Sequence, residues 1–234
     1  MAVRIDVKGQ IVESGNDWVY DWLGIENTSP KKILKALQEA GGEDIEIYIN
    51  SPGGSIYAGS EIYTELRAYA GKKTIKITGI AASAASVIAQ AGDSEISPTG
   101  MFMIHNVQTE ASGDYRDMDN TSDSLQAANR SIINAYMDKT GMGSKELQEL
   151  MDKETYLSAQ QAVEYGFVDR VMFSENAQAM YNGFGTLPNE AIEKLRNMIK
   201  NSEQKNPDFL ISQKQAATRL RLLNLKGEHI DDKD

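Results

Sequence analysis

Ile45-Glu46-Ile47-Tyr48-Ile49-Asn50-Ser51-Pro52-Gly53-Gly54-Ser55 reads as a strand that runs through a glycine turn into a helix. Ile45, Ile47 and Ile49 recur at every second position, the period of a half-buried strand. Asn50 to Gly54 closes it, and Ile62, Leu66 and Tyr69 then follow at helical spacing until Gly71. The same unit recurs on both sides. Upstream, Val3, Ile5 and Val7 alternate with charged residues as a strand. Ser29-Pro30 then supplies a cap and a first helical position, Ile33, Leu34 and Leu37 share a face, and Gly41-Gly42 ends the helix. Downstream, Thr74 to Ile80 is a strand, Ala81 to Gly92 a run rich in small residues, and Met101 to His105 a short strand. Strands alternating with helices of about a dozen residues imply crossover connections and a largely parallel sheet, an α/β fold.

Farther along, Asp117 to Lys139 is a long helix with Leu125, Ala128, Ile132 and Tyr136 on one side. Ser158-Ala159-Gln160-Gln161 has the form of a capping box for a short helix ending at Gly166, and Val168 to Phe173 is the last strand. Beyond Phe173 strand signals stop. Two amphipathic stretches remain, near Pro188 to Lys200 and Leu210 to Leu225, before an acidic end. The expected organisation is one domain over residues 1–173 and a helical, mobile extension over 174–234, whose Arg219-Leu220-Arg221-Leu222-Leu223 is a solvated tail helix or a docking segment.

Composition narrows the function. With 24 basic and 34 acidic residues the net charge is −10, a poor basis for binding nucleic acid. The chain has no cysteine, so disulfides, thiolate metal sites and cysteine nucleophiles are excluded, and no paired histidines suggest a metal. Nothing resembles a signal peptide or a membrane span, so a cytoplasmic protein is expected.

Three features carry chemistry. Gly79-Ile80-Ala81-Ala82-Ser83-Ala84-Ala85-Ser86 sets a serine just after a strand. A serine among alanines is commonly packing, but at a strand-to-helix junction its hydroxyl meets free amides and the positive end of the helix dipole. Ser86, one turn deeper, is assigned to packing. His105 ends an apolar strand, where it either caps the core or acts as a base; the other histidine, His229, sits in the acidic tail. The Pro52-Gly53-Gly54 turn can present backbone amides as an oxyanion hole or an anion site. It lacks the ending of a phosphate loop, and no dinucleotide fingerprint is present, so no cofactor is expected.

Tyr48 to Gly54, Gly79 to Ser83, Met103-Ile104-His105 and Leu157 to Asp169 resemble, in order and spacing, the Clp protease proteolytic subunit across roughly Ile45 to Val171. The resemblance implies a crotonase-like spiral of strand–helix units with a handle helix, here Asp117 to Lys139, that stacks two seven-membered rings into a chamber. It implies a serine endopeptidase with Ser83 as nucleophile, His105 as general base, and the amides of Gly54 and Ala84 as oxyanion donors. The family's triad aspartate is replaced by Glu154, with Asp152 as the alternative orienter. The expected substrate is an unfolded chain or peptide, and an AAA+ unfoldase would be a separate partner. The long tail and the departures resemble the phage and prophage branch, whose members mature capsid proteins. Two rivals stand against this reading: an acyl-CoA hydratase or isomerase on the same fold, which needs no serine nucleophile, and an inactive assembly protein, which would be expected to lose Ser83 or His105.

Overall fold

A computed structural model describes residues 2–173; the expected extension, with its two helices and its docking segment, lies outside the described residues. Strand β1, Val3–Ile11, leads through a short helix α1, Asp17–Trp22, into a two-residue strand β2, Asn27–Thr28. Helix α2, Pro30–Ala40, starts as the sequence predicts. Ser29 Oγ accepts from the amide of Lys32, Pro30 takes the first position, and Gly41 ends the helix in the left-handed region. Ile33 and Leu37 are buried, but Leu34 is 40% exposed, so the apolar face is narrower than its spacing suggests.

Strand β3, Ile45–Gly54, passes into helix α3, Ile56–Ala68, capped by Ser55 Oγ on the amide of Ala58. Strand β4, Lys73–Ala82, then passes into helix α4, Ala84–Ile88, and a single 3-10 turn, Ala89–Ala91. Strands β5, Asp93–Ile96, and β6, Met101–Ile104, precede the long helix α5, Tyr115–Thr140. Helix α6, Ser144–Asp152, strand β7, Thr155–Ser158, helix α7, Ala159–Glu164, and strand β8, Arg170–Val171, complete the described chain. Ser158 and Gln161 form the expected capping box of α7, whereas β8 is shorter than the predicted strand.

The sheet runs β2-β1-β3-β4-β5-β8, with β6 joining the far end of β4 and β7 joining β6. Every pairing is parallel except β6 with β7. In β3, the side chains of Ile45, Ile47 and Ile49 enter the core with Val7, Ile62, Leu66, Ile75 and Ile77. The opposite face carries Lys76 between Glu46 and Glu95, with the Arg4 guanidinium 4.0 Å from the Tyr48 ring centre. Parallel sheets are usually covered on both faces; here these charges share one face with an aromatic ring, so the period of two is legible. No helix among the described residues is long and apolar enough to cross a membrane.

Candidate active site

β4 forks. Its first half pairs with β5, and its last three residues, Ile80, Ala81 and Ala82, pair with β6. Ser83 stands directly after that fork as the only residue between β4 and α4, with φ 53° and ψ −125°. A positive φ in a residue with a Cβ costs roughly 1–2 kcal/mol and is held only where its surroundings impose it. The surroundings are small and close. The Ser83 amide donates to the Met103 carbonyl on β6 at 3.0 Å. A Cβ on Gly53 would lie 2.7 Å from both the Ala82 carbonyl oxygen and Ser83 Cβ, and one on Gly59 of α3 would lie 2.9 Å from Ala84 Cβ. The alanine run is therefore packing and function at once: Ala84 and Ala85 are fully buried so that the turn can fit beneath α3.

His105 follows β6 immediately, and its Nε2 lies 2.7 Å from Ser83 Oγ. A hydroxyl within hydrogen-bond reach of an imidazole is the arrangement a nucleophile and its general base require. Ser51 pins the neighbouring glycine turn. Its Oγ donates to the Gly9 carbonyl at 2.6 Å and accepts from the Gly53 amide at 3.1 Å. Gly54 and Ser83 line the same cleft, while Ala84 lies at the first position of α4, where its amide donates to no acceptor among the described residues.

The cleft, about 1140 Å³, continues along residues 107–112 and the inner side of α5. Side-chain amides tether that segment. Asn106 Nδ2 donates to Asp152 Oδ1 at 2.8 Å, and Gln148 Nε2 donates to both Asp152 Oδ1 and Asn106 Oδ1. The Val107 amide donates to Asn129 Oδ1 of α5 at 2.8 Å. These bonds, from Asn106 first and then Gln148, hold the Asp152 carboxyl below its ordinary value.

Glu154 lines the cleft as well, again with a positive φ, 49°, and its Oε1 accepts from Gln108 Nε2 at 3.2 Å. It precedes β7, whose Thr155 lies opposite Ile104 of antiparallel β6. The register ends at that pair, with His105 and Glu154 each one residue beyond it. Asp152 does not line the cleft. No hydrogen bond among the described residues joins His105 to either carboxylate. The structure thus brings together Ser83, His105, Gly54 and Glu154 in one cleft, with Ala84 directly behind the serine, and leaves Asp152 outside. Residue-level reading missed Asn129 and Gln108. The available signal was an amide, Asn129, inside the apolar stripe of α5, where it is 9% exposed. Among the described residues no group of histidine and carboxylate side chains is placed to hold a metal.

Comparison with known proteins assigns the chain to a family. The family model described as Clp protease matches residues 25–175. An ATP-dependent Clp protease proteolytic subunit of Bacteroides fragilis is 33% identical over 152 residues, 64% of this chain and 73% of that protein. A proteolytic subunit of Bacteroides thetaiotaomicron is 32% identical over 152 residues, 64% of this chain and 69% of that protein. Proteolytic subunit 1 of Chlamydia muridarum is 31% identical over 151 residues, 62% of this chain and 79% of that protein. The fork in the sheet, the strained serine and its histidine partner therefore belong to a chain of the Clp protease family, a serine-type peptidase.

Proposed function

We propose that the chain is a serine endopeptidase in which Ser83 attacks the scissile carbonyl and His105 takes its proton, returning it to the leaving amine. The observation that carries this reading is the 2.7 Å contact between His105 Nε2 and Ser83 Oγ at a backbone-strained strand-to-helix junction. Glu154 orients the imidazole, a role supported by its place in the cleft that His105 also lines and by its position next to Thr155, which pairs with Ile104. The amides of Gly54 and Ala84 hold the developing oxyanion; losing one such donor costs on the order of a hundredfold or more in rate. Ile80, Met103, Leu125 and Ile132 line the cleft with apolar surface, which suits an apolar side chain beside the scissile bond.

The substrate is an unfolded chain or peptide, and the enzyme works as a homo-oligomeric ring, probed by sedimentation of the intact protein. The first half of α5 supports assembly: its residues are largely exposed, with Tyr115 74% and Met118 39% open, while burial begins at Asn129. Relatives are named as ATP-dependent proteolytic subunits, so an ATPase unfoldase is the proposed partner class, and the departure at Glu154 supports a place in the capsid-maturation branch, within the cytoplasm. Intact-mass analysis after a fluorophosphonate probe tests the core of the proposal. One adduct on the wild type and none on Ser83→Ala is expected; an adduct that persists in the variant would move the nucleophile elsewhere.

A further inference from the structure

Ser86 and Tyr136 form a buried pair that the chemistry above leaves unused. Ser86 is fully buried one helical turn after Ser83, and its Oγ donates to the Ser83 carbonyl oxygen at 2.6 Å. The same Oγ lies 2.7 Å from the Tyr136 hydroxyl. A serine hydroxyl has one proton and a carbonyl can only accept, so Tyr136 is the donor to Ser86. The direction of the chain is thereby set: Tyr136 hydroxyl to Ser86 hydroxyl to Ser83 carbonyl.

Both ends are anchored. Tyr136 stands on the buried half of α5, only 1% exposed, with its ring edge-on to Phe167 at 5.6 Å between centres. Phe167 in turn stacks on Phe102 of β6 at 5.2 Å. Gln90 Nε2 donates to the Ser86 carbonyl at 2.8 Å, fixing the middle of the chain from below. Burial pushes the Tyr136 phenol well above its ordinary value, so it remains a protonated donor throughout the working range.

The Ser83 carbonyl oxygen is a sensitive point to hold. Its direction is set by ψ of Ser83, −125°, the torsion that would rotate if the strained junction relaxed. A phenylalanine could fill the Tyr136 ring site, yet the chain buries a hydroxyl there and spends it on Ser86. We propose that Tyr136 is a positioning residue for the nucleophile: acting through Ser86, it clamps the Ser83 carbonyl and so keeps the strained junction in the conformation that presents Ser83 Oγ to His105. The inference rests on Ser83 being the nucleophile.

The test separates positioning from simple stability. Ser86→Ala alone strands the Tyr136 hydroxyl in the core and should lower the melting temperature. The double variant Ser86→Ala with Tyr136→Phe removes both partners, and it should melt close to the wild type. Positioning predicts that the double variant is nevertheless acylated by a fluorophosphonate about tenfold more slowly, with kcat reduced alike and KM unchanged, less than the roughly hundredfold loss that an ångström of misplacement can cause. Tyr136→Phe alone, which leaves the Ser86–Ser83 bond, should fall between. Wild-type acylation in the double variant, or rates that follow melting temperature across the three variants, would overturn the inference while leaving Ser83 in place. A wild type that forms no adduct at Ser83 would remove the nucleophile and the inference together.

Discussion

The wall of the cleft that carries Ser83 is built from buried backbone and very small side chains, whereas the wall that carries Glu154 is built from exposed amides and carboxylates. On the first wall Gly53 and Gly59 each approach the Ala82–Ala84 turn so closely that an added methyl would meet an atom within 3 Å. On the second, Gln108 meets Glu154, and beside them Asn106 and Gln148 meet Asp152, through hydrogen bonds between side chains that can shift and reform. Both walls hold a residue at positive φ, Ser83 and Glu154. The two walls therefore tolerate different kinds of change. The serine wall is specified by volume and backbone shape, the acid wall by hydrogen-bonding capacity.

Gly53→Ala should have the largest effect on the serine wall. At φ 101° the new methyl is both strained and blocked by backbone and by Ser83 Cβ, so about 3–5 kcal/mol of stability should disappear. Denaturant unfolding checks this, and a variant as stable as the wild type would show the wall to be more pliant than its contacts imply. Glu154→Gln should lower kcat on the order of a hundredfold, with Glu154→Asp within about tenfold of wild type because the acid wall can adjust. Steady-state kinetics on a peptide decides between the carboxylates: if Asp152→Asn proves the costlier change, Asp152 is the orienter.

The smallest effect lies far from the cleft, where Lys139 near the end of α5 meets Asp169 beside β8. Burial pulls the Asp169 carboxyl up, but hydrogen bonds from Lys139 and Ser94 outweigh it and hold it below its ordinary 3.8. A carboxylate lowered in the folded state contributes stability above its unfolded value and loses it as pH falls through the folded value. Lys139→Met should therefore cost about 0.5–1 kcal/mol at neutral pH, discounted because Asp169 is partly solvated. Melting curves should show the gap from wild type narrowing below the ordinary aspartate range; a gap independent of pH would assign the loss to packing of the lysine stem.

The two walls also differed in how far they could be read from the chain. Ser29, Gly41 and Ser158 announce their helices because caps are local, and the isoleucines of β3 announce their strand because only one face of the sheet is apolar. Ser83 and His105 were legible as ends of strands. β5 was not: Asp93-Ser94-Glu95-Ile96 has one apolar residue and exists because β4 and β8 pair with it on either side. α1 and α6 escaped notice as well. α1 has only Asp17 buried, and Trp18 and Trp22 face outward. β7 is four residues long and owes its place to the β6 edge. The pairing of Tyr136 with Ser86 crosses fifty positions, and no local pattern signals it.

That one antiparallel pairing has a consequence for the order of events during folding. Ser83 and His105 are 22 positions apart and rise on strands of the parallel sheet. Glu154 reaches them only when Thr155 meets Ile104, across a loop more than twice as long, an added closure cost of roughly 0.6–0.8 kcal/mol. The serine–histidine contact is expected to form before Glu154 enters the cleft, so an incompletely folded chain holds the first two without the carboxylate. Folding kinetics of Leu157→Ala and Ile77→Val would read this directly: φ-values should be near zero at β7 and substantial at β4. Equal values would mean that Ser83, His105 and Glu154 come together in a single step.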